Sequence, residues 1–280
     1  MAQVAASLQR SQGELRVRLR RSVHGTSLGD LYQKGCLKAR MPRHTAAKPV
    51  EVVTINTAGG LTDSDEVSTQ VSWEKHTRGV ITTQAAERIY DCRQSPAYVR
   101  TDLKLEDNAV GCWLPQEIIL FDNSRLERQT TIELGKHAVL FAVESLVFGR
   151  TAMQETVRVG HLFDGFKILV DGELVLADAL ALNGEAQRPM DAHLQQASVL
   201  GAGRCCATIV FVGDYDTALL ANIRTRLEGS EVVGGASDLG QLIAVRLIAR
   251  EIKTLRSLIL DLYTACLGPL GFTEPRVWQC

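Results

Sequence analysis

Alternation with a period of two is the feature that most limits what this chain can become. In "RVRLRRSV", "VEVVTINT", "VSTQVSW", "GVITTQAAERIY", "YVRTDLKL", "GCWLPQEIILF", "RQTTIEL", "AVLFAVESLVFG", "FKILVDGELVLADAL" and "CATIVFVG" the runs are short and rich in β-branched residues, and Gly, Asn, Asp or Pro separates them. Successive strand side chains point to opposite faces, so this pattern describes strands with one buried face, whereas a helix would need a period of 3.6. The expectation is a mainly β fold with about ten or more strands.

The β part also repeats itself. "VSWEKHTRGVITTQ" from Val71 lies over "LKLEDNAVGCWLPQ" from Leu103 without a gap, so that Glu74 falls on Glu106, Gly79 on Gly111 and Gln84 on Gln116, a shift of 32 residues. A weaker third copy begins near Ile132, where His137-Ala138-Val139 takes the place of Asn108-Ala109-Val110. Similar β units that stack edge to edge predict a layered, solenoid-like sheet body.

Two segments near the C-terminus depart from the period of two. Asp216 to Leu227 places Leu219, Leu220, Ile223 and Leu227 on one helical face before Gly229, and Arg250 to Leu267 stripes Ile252, Leu255, Ile259 and Leu262 before Gly268 and Pro269. "GQLIAVRLIA" between them reads as a buried strand. The predicted architecture is thus a stacked β body over about 13–182 with a smaller C-terminal α/β portion carrying two helices, a βαβα unit over about 196–280, in a single domain. The polar "NGEAQRPMDAHLQQ" is expected to be a seam or surface loop.

With 280 residues, 45% hydrophobic and 22% charged, the chain can bury a large core. A net charge of −1 argues against nucleic acid or a charged membrane as the partner, since such proteins carry a basic excess. The cluster Arg16, Arg18, Arg20, Arg21 alternates with Val17 and Leu19, which suits the solvent face of an edge strand. No apolar core of signal-peptide length and no stretch of about eighteen apolar residues occurs, so a cytoplasmic protein is expected. The seven cysteines, Cys36, Cys92, Cys112, Cys205, Cys206, Cys266 and Cys280, are odd in number and show no C-x-x-C spacing. Cys205 and Cys206 are neighbours in a strand and face opposite ways, so they read as small core residues.

Familiar catalytic motifs are missing. The loop "NTAGGLTDSDE" lacks the lysine of a phosphate-binding P-loop and the sixth-position glycine of an EF-hand. Its adjacent glycines predict a tight turn, and Asp65 stands where it either meets a passing cation or caps that turn. The histidines His24, His44, His76, His137, His161 and His193 lie too far apart in sequence for any local pair to hold a metal. What stands out is a set of acids inside apolar runs: Glu87, Glu117, Asp122, Glu144, Glu155 and Asp178. A buried carboxylate is costly without a cation or hydrogen bonds. Either Arg88, Arg125, Arg128 and Arg150 pair with these acids structurally, or the acids line a polar interior suited to a divalent ion in transit.

The blocks "INTAGGLTDSD", "TTQAAERIY", "WLPQEIILFDNSRL", "ESLVFGRTAM" and "PRVW" resemble, in this order, the urease accessory protein UreD family, called UreH in some organisms. The resemblance runs from about Gly13 to Trp278. It implies a non-enzymatic assembly factor, mostly β, that binds apo-urease and the accessory proteins UreF and UreG, the last a GTPase, with no nucleic-acid or membrane partner. It also implies a dimer of heterocomplexes and a role in installing the nickel of urease, with a polar passage through the protein as the nickel route and no tightly bound cofactor. Carried onto matching positions, the resemblance gives Asp65, Glu87, Glu117, Asp122, Glu144 and Glu155 as transient nickel contacts and Thr82, Thr83 and Gln84 as lining of the passage. Trp278, in the closing "EPRVWQC", is assigned to a partner contact, with docking onto the chain's own core as the alternative.

Two departures affect loop shape. The family usually shows "LTGGD" where this chain has Asp63 and Ser64 before Asp65, and a backbone with φ > 0 there suits Ser less well than Gly. A tryptophan usual before the last strand is replaced within "GGASDLGQL". The competing expectation is a β-solenoid carbohydrate-active enzyme using Glu87 and Glu117 as acid and base, against which the 5% aromatic content counts, because sugar grooves are rich in aromatics.

Overall fold

The computed structural model describes residues 10–42, 48–92, 94–150 and 153–279. His44, Cys280 and the first nine residues, which were read for a signal segment, lie outside the described residues. The chain forms β1 (Gln12–Ser22), β2 (Gly25–Gly35), β3 (Leu37–Arg40), β4 (Val50–Asn56), β5 (Glu66–Trp73), β6 (Arg78–Thr83), β7 (Glu87–Ile89), β8 (Ala97–Leu105), β9 (Val110–Leu114) and β10 (Ile118–Leu120). It continues with β11 (Arg125–Leu134), β12 (Val139–Phe148), β13 (Gly160–Val170), β14 (Glu173–Gly184), α1 (Met190–Leu194), β15 (Cys205–Val212), α2 (Thr217–Glu228), β16 (Val233–Asp238), β17 (Leu242–Ala249) and α3 (Ile252–Leu267).

Two sheets enclose the interior. The first runs β14-β13-β11-β8-β5-β1-β2, parallel from β1 to β13 and closed at both edges by antiparallel strands. The second runs β16-β17-β15-β12-β9-β6-β4-β3, and the short strands β7 and β10 form a narrow parallel wall joined to β12. Strands alternate between sheets along the chain, so β5-β6-β7, β8-β9-β10 and β11-β12 are successive coils of a solenoid. This is the mainly β, stacked fold expected from the alternation.

The repeat read from sequence is the coil register. Trp73 pairs with Leu105 and Gly79 with Gly111, which is the 32-residue shift. Leu105 then pairs with Leu134 and Val110 with Val139, placing His137 over Asn108 as expected. His76, Asn108 and His137 all take positive φ, of 60°, 59° and 56°. The same left-handed residue therefore turns the chain at one corner of each coil, where the His76 N–H donates to the Asp107 carbonyl and the Asn108 N–H to the Lys136 carbonyl. At Gly111 the coils meet closely: a Cβ there would lie 2.8 Å from Leu105 Cδ2 and 3.2 Å from Trp73 Cε2.

The main core lies between the sheets and includes Leu15, Leu19, Trp73, Ile81, Leu105, Ile132 and Leu140. A second core forms on the outer face of the second sheet, where Phe141, Val143, Ile209 and Phe211 meet Leu255, Ile259 and Tyr263 of α3. Each fully buried side chain of this kind stabilises the fold by roughly 1.5–3 kcal/mol. α2 begins where predicted, with Asp216 Oδ1 accepting from the Leu219 N–H, and ends at Gly229. α3 ends at Gly268, but a 3-10 turn over Gly268–Leu270 carries the chain on to Gly271, the residue with positive φ.

Several expectations need correction. The C-terminal portion is βαββα, because the glycine-rich β16 adds an exposed edge strand that carries no apolar alternation. "RPMDAHLQQ" holds the short helix α1, anchored by buried Met190 and Leu194. "FKILVDGELVLADAL" is two strands, with Asp171 and Gly172 at positive φ forming the hairpin turn between β13 and β14. β1 is not an edge strand, since β2 covers it, and Arg18 pairs there with Asp30 and Glu74.

Candidate functional site

Parity places polar side chains inside the solenoid at one level. On the first sheet Thr69, Thr101 and Thr130 stack in register across β5, β8 and β11, and Arg128 and Asp164 are paired neighbours on β11 and β13. On the second sheet Glu144, Thr208 and Arg246 are in register across β12, β15 and β17, with Glu144 buried against that level and Arg246 exposed at its rim.

An ion network joins the two sheets. Arg128 is 4% exposed and donates to both carboxylate oxygens of Asp164, at 2.7 and 2.6 Å, while its remaining terminal nitrogen pairs with Glu144. Glu144 Oε1 also accepts from Trp113 Nε1 at 3.1 Å and Thr130 Oγ1 at 2.9 Å. Burial pushes the Glu144 carboxyl above the usual range, opposed mainly by Arg128. Burial would lower the Arg128 pKa, but Asp164 and Glu144 outweigh it and hold the guanidinium above its ordinary value.

Two cavities share Glu144 as a wall. One, of about 200 Å³, is bounded by Asn56, Thr83, Gln84, Glu87, Thr101 and Arg128 among others. The second, of about 630 Å³, is bounded by Asp164, Asp178, Cys206, Thr208 and Arg246 and by apolar side chains of β14 and α1. At the wall of the first, Glu87 accepts from Asn56 Nδ2 at 2.9 Å, and burial raises its carboxyl pKa. At the wall of the second, Asp178 pairs with Arg246, which also donates to Thr208 Oγ1 at 2.9 Å.

The predicted site residues divide between this interior and structural posts elsewhere. Glu87, Glu144, Thr83 and Gln84 line the first cavity. Asp65 is buried but committed to the backbone: its two oxygens accept from the Ser11 N–H at 2.6 Å and the Thr62 N–H at 2.9 Å, so it caps the opening turn. Ser64 in that turn has φ of 58°, the strained geometry anticipated from the missing glycine. Asp122 likewise accepts from the Arg158 and Val159 N–H groups, and Glu155 forms a two-pronged pair with Arg150. Glu117 is 4% exposed and closed by Arg256 of α3, whose nitrogens reach its two oxygens at 2.9 and 2.8 Å.

Thr82 faces the opposite way from Thr83, donating to the Leu114 carbonyl on the α3 side of the sheet. Trp278 docks there, 7% exposed, with Nε1 donating to Thr82 Oγ1 at 3.0 Å and to the Leu114 carbonyl at 3.2 Å. The partner contact assigned to Trp278 gives way to the docked alternative. Cys205 and Cys206 do face opposite sides, the first in the outer core and the second on the larger cavity. Among the described residues no group of three or more His, Cys, Asp or Glu is placed to hold a metal ion, and no helix is long and apolar enough to cross a membrane.

In the sequence Arg128 is only one of several pairing candidates, and Asp164, Thr101, Thr130 and Trp113 are not among the candidate site residues. The signal was parity: Arg128 shares the inward phase of Leu126 and Ile132, and Asp164 that of Leu162 and Phe166.

Comparison with known proteins adds an independent finding. The family model described as UreD urease accessory protein matches residues 11–279. The chain is 37% identical over 275 residues to a urease accessory protein UreD of Chelativorans sp. (strain BNC1), covering 98% of this chain and 96% of that one. It is 35% identical to the protein of the same name from Paracoccus denitrificans, over 97% of this chain and 93% of that one, and 36% identical to that of Rhizobium leguminosarum bv. viciae over 100% of both.

Proposed function

Because the chain belongs to the UreD family of urease accessory proteins, we propose that it acts without catalysis of its own, as a scaffold whose interior passes nickel toward apo-urease. The observation that carries this reading is the pair of cavities meeting at Glu144, with Glu87 at the wall of one and Asp178 at that of the other. Passing an ion calls for weak, successive oxygen ligands, since a tight cage would keep it. Thr83, Thr101, Glu144 and Asp178 provide dispersed oxygens of that kind, whereas Asp65, Asp122, Glu117 and Glu155 hold the fold around them. Nickel is cargo here.

The proposed partners are UreF, UreG and the urease subunits, in a dimer of heterocomplexes, with energy for directed delivery supplied by GTP hydrolysis on UreG. A carbohydrate-active site would need Glu87 and Glu117 free to face a sugar, and the Arg256 clamp on Glu117 favours the scaffold instead. Co-expression of urease with its other accessory proteins, with and without this chain, tests the proposal: nickel content and urease activity should depend on the chain, and equal values in both would overturn it.

A further inference from the structure

A guanidinium is an odd thing to find in the middle of a cation route. Arg128 is buried where the two cavities meet, it lines the smaller one, and both of its partners, Glu144 and Asp164, line the larger. All three of its donor directions that reach these acids are used, two on Asp164 and one on Glu144. It also ties the two sheets together, because Glu144 belongs to the second sheet and Asp164 to the first, and it is buried there, unlike Arg246, whose side chain pairs across the sheets with Asp178 while 57% exposed.

The local charge is informative. One guanidinium stands against two carboxylates, leaving a formal charge of −1 that the Thr130 hydroxyl and the Trp113 N–H partly meet. A monovalent cation in place of Arg128 would leave that imbalance unchanged. A divalent cation would cancel it, and at low dielectric such a difference in charge balance outweighs small differences in contact geometry. Removing Arg128 with nothing in its place would strand two buried charges, so the pair does not open spontaneously.

We propose that Arg128 is the gate of this route: a tethered counter-ion that closes the constriction between Glu144 and Asp164 and yields only to a divalent cation that replaces it. The gate rests on the reading of the interior as a nickel passage. It explains why the described residues of the interior hold no ready-made ligand cluster, since the two acids become available to the cargo only as the guanidinium leaves them. The space that receives the displaced side chain is the smaller cavity that Arg128 already borders.

The test is nickel titration of the purified full-length chain, in complex with its partners where it requires them, by calorimetry with NiCl2. Arg128→Met leaves the two acids without their tethered cation, and nickel should bind at least about tenfold more tightly than to the wild type. Arg128→Lys keeps the charge but loses the two-pronged grip on Asp164, so it should fall between the two. Adding Glu144→Gln to Arg128→Met should remove the gain. Wild-type nickel affinity in folded Arg128→Met and Arg128→Lys overturns the gate, and if the methionine variant does not fold, wild-type affinity in the lysine variant overturns it alone. Thr101→Leu, which narrows the smaller cavity while Arg128, Glu144 and Asp164 all keep their side chains, separates this from failure of the passage. Normal nickel loading of urease with Thr101→Leu removes the passage, whereas blocked loading together with wild-type affinity in the Arg128 variants removes only the gate.

Discussion

Arg256→Ala offers a quantitative check on how the helical layer is held to the solenoid. Arg256 reaches both oxygens of Glu117 and also donates to Gln116 Oε1 at 2.6 Å, and its guanidinium lies 5.9 Å from the Trp278 ring. Removing one partner of a fully buried pair costs about 3–5 kcal/mol, because the other charge is left without compensation. Here Glu117 is buried but the Arg256 side chain is 26% exposed, so water reaches the gap and the pair itself is worth nearer 2 kcal/mol. Loss of the contact with Trp278 adds about 0.5–1 kcal/mol. The expected total of about 3 kcal/mol is a large part of a typical folding stability of about 5–15 kcal/mol. Urea denaturation of the wild type, Arg256→Ala, Glu117→Gln and the Glu117→Gln/Arg256→Met double variant measures it. The double variant, with neither charge buried, should recover at least half of the loss. A cost below about 1 kcal/mol for Arg256→Ala, or a double variant as unstable as the sum of the single ones, would refute the reasoning.

Three further outcomes are expected. Ser64→Gly relieves a left-handed backbone while keeping the Ser64 N–H bond to the Pro96 carbonyl, and should raise stability by about 1 kcal/mol in denaturant titration. Glu51 on β4 has a buried Oε1 without a hydrogen-bond partner, and burial raises its carboxyl pKa against the pull of Arg276. A carboxyl raised by folding stabilises below its unfolded value near 4.5 and loses that contribution as pH rises through the folded value, so Glu51→Gln should melt higher than the wild type at pH 7 and converge with it near pH 4. Trp278→Phe keeps a ring in the pocket but loses both Nε1 bonds, which should cost about 1–2 kcal/mol in thermal melts and leave partner pull-down intact; unchanged stability with lost pull-down would return Trp278 to an interface.

The coils were legible in sequence because their positions answer to local constraints that recur. Gly79 and Gly111 repeat where side chains of the facing sheet, Trp73 among them, press against the backbone, and the left-handed corners repeat at His76, Asn108 and His137. Strands β2 and β16 were missed for the opposite reason: as sheet edges they bury little, so their sequences carry no apolar alternation. In the candidate site, the acids showed themselves by interrupting apolar runs, but their partners did not. Arg256 lies 139 residues from Glu117 and Asp164 lies 36 from Arg128, and only the stacking of coils and the docking of α3 bring these pairs together. The same limit left Asp65 undecided, since a turn cap and a wall of a cavity demand the same side chain, and the choice depends on the Ser11 N–H contributed by β1's approach.

Nickel content of urease matured in cells tests the central claim most directly, with this chain carrying Thr101→Leu or Thr131→Leu. Thr101 is buried in the interior stack beside the smaller cavity, whereas Thr131, next to Thr130 on β11, points to the outer face. A passage through the solenoid predicts that metal analysis of purified urease finds nickel near background with Thr101→Leu and at the wild-type level with Thr131→Leu. Full nickel occupancy with folded Thr101→Leu would contradict it.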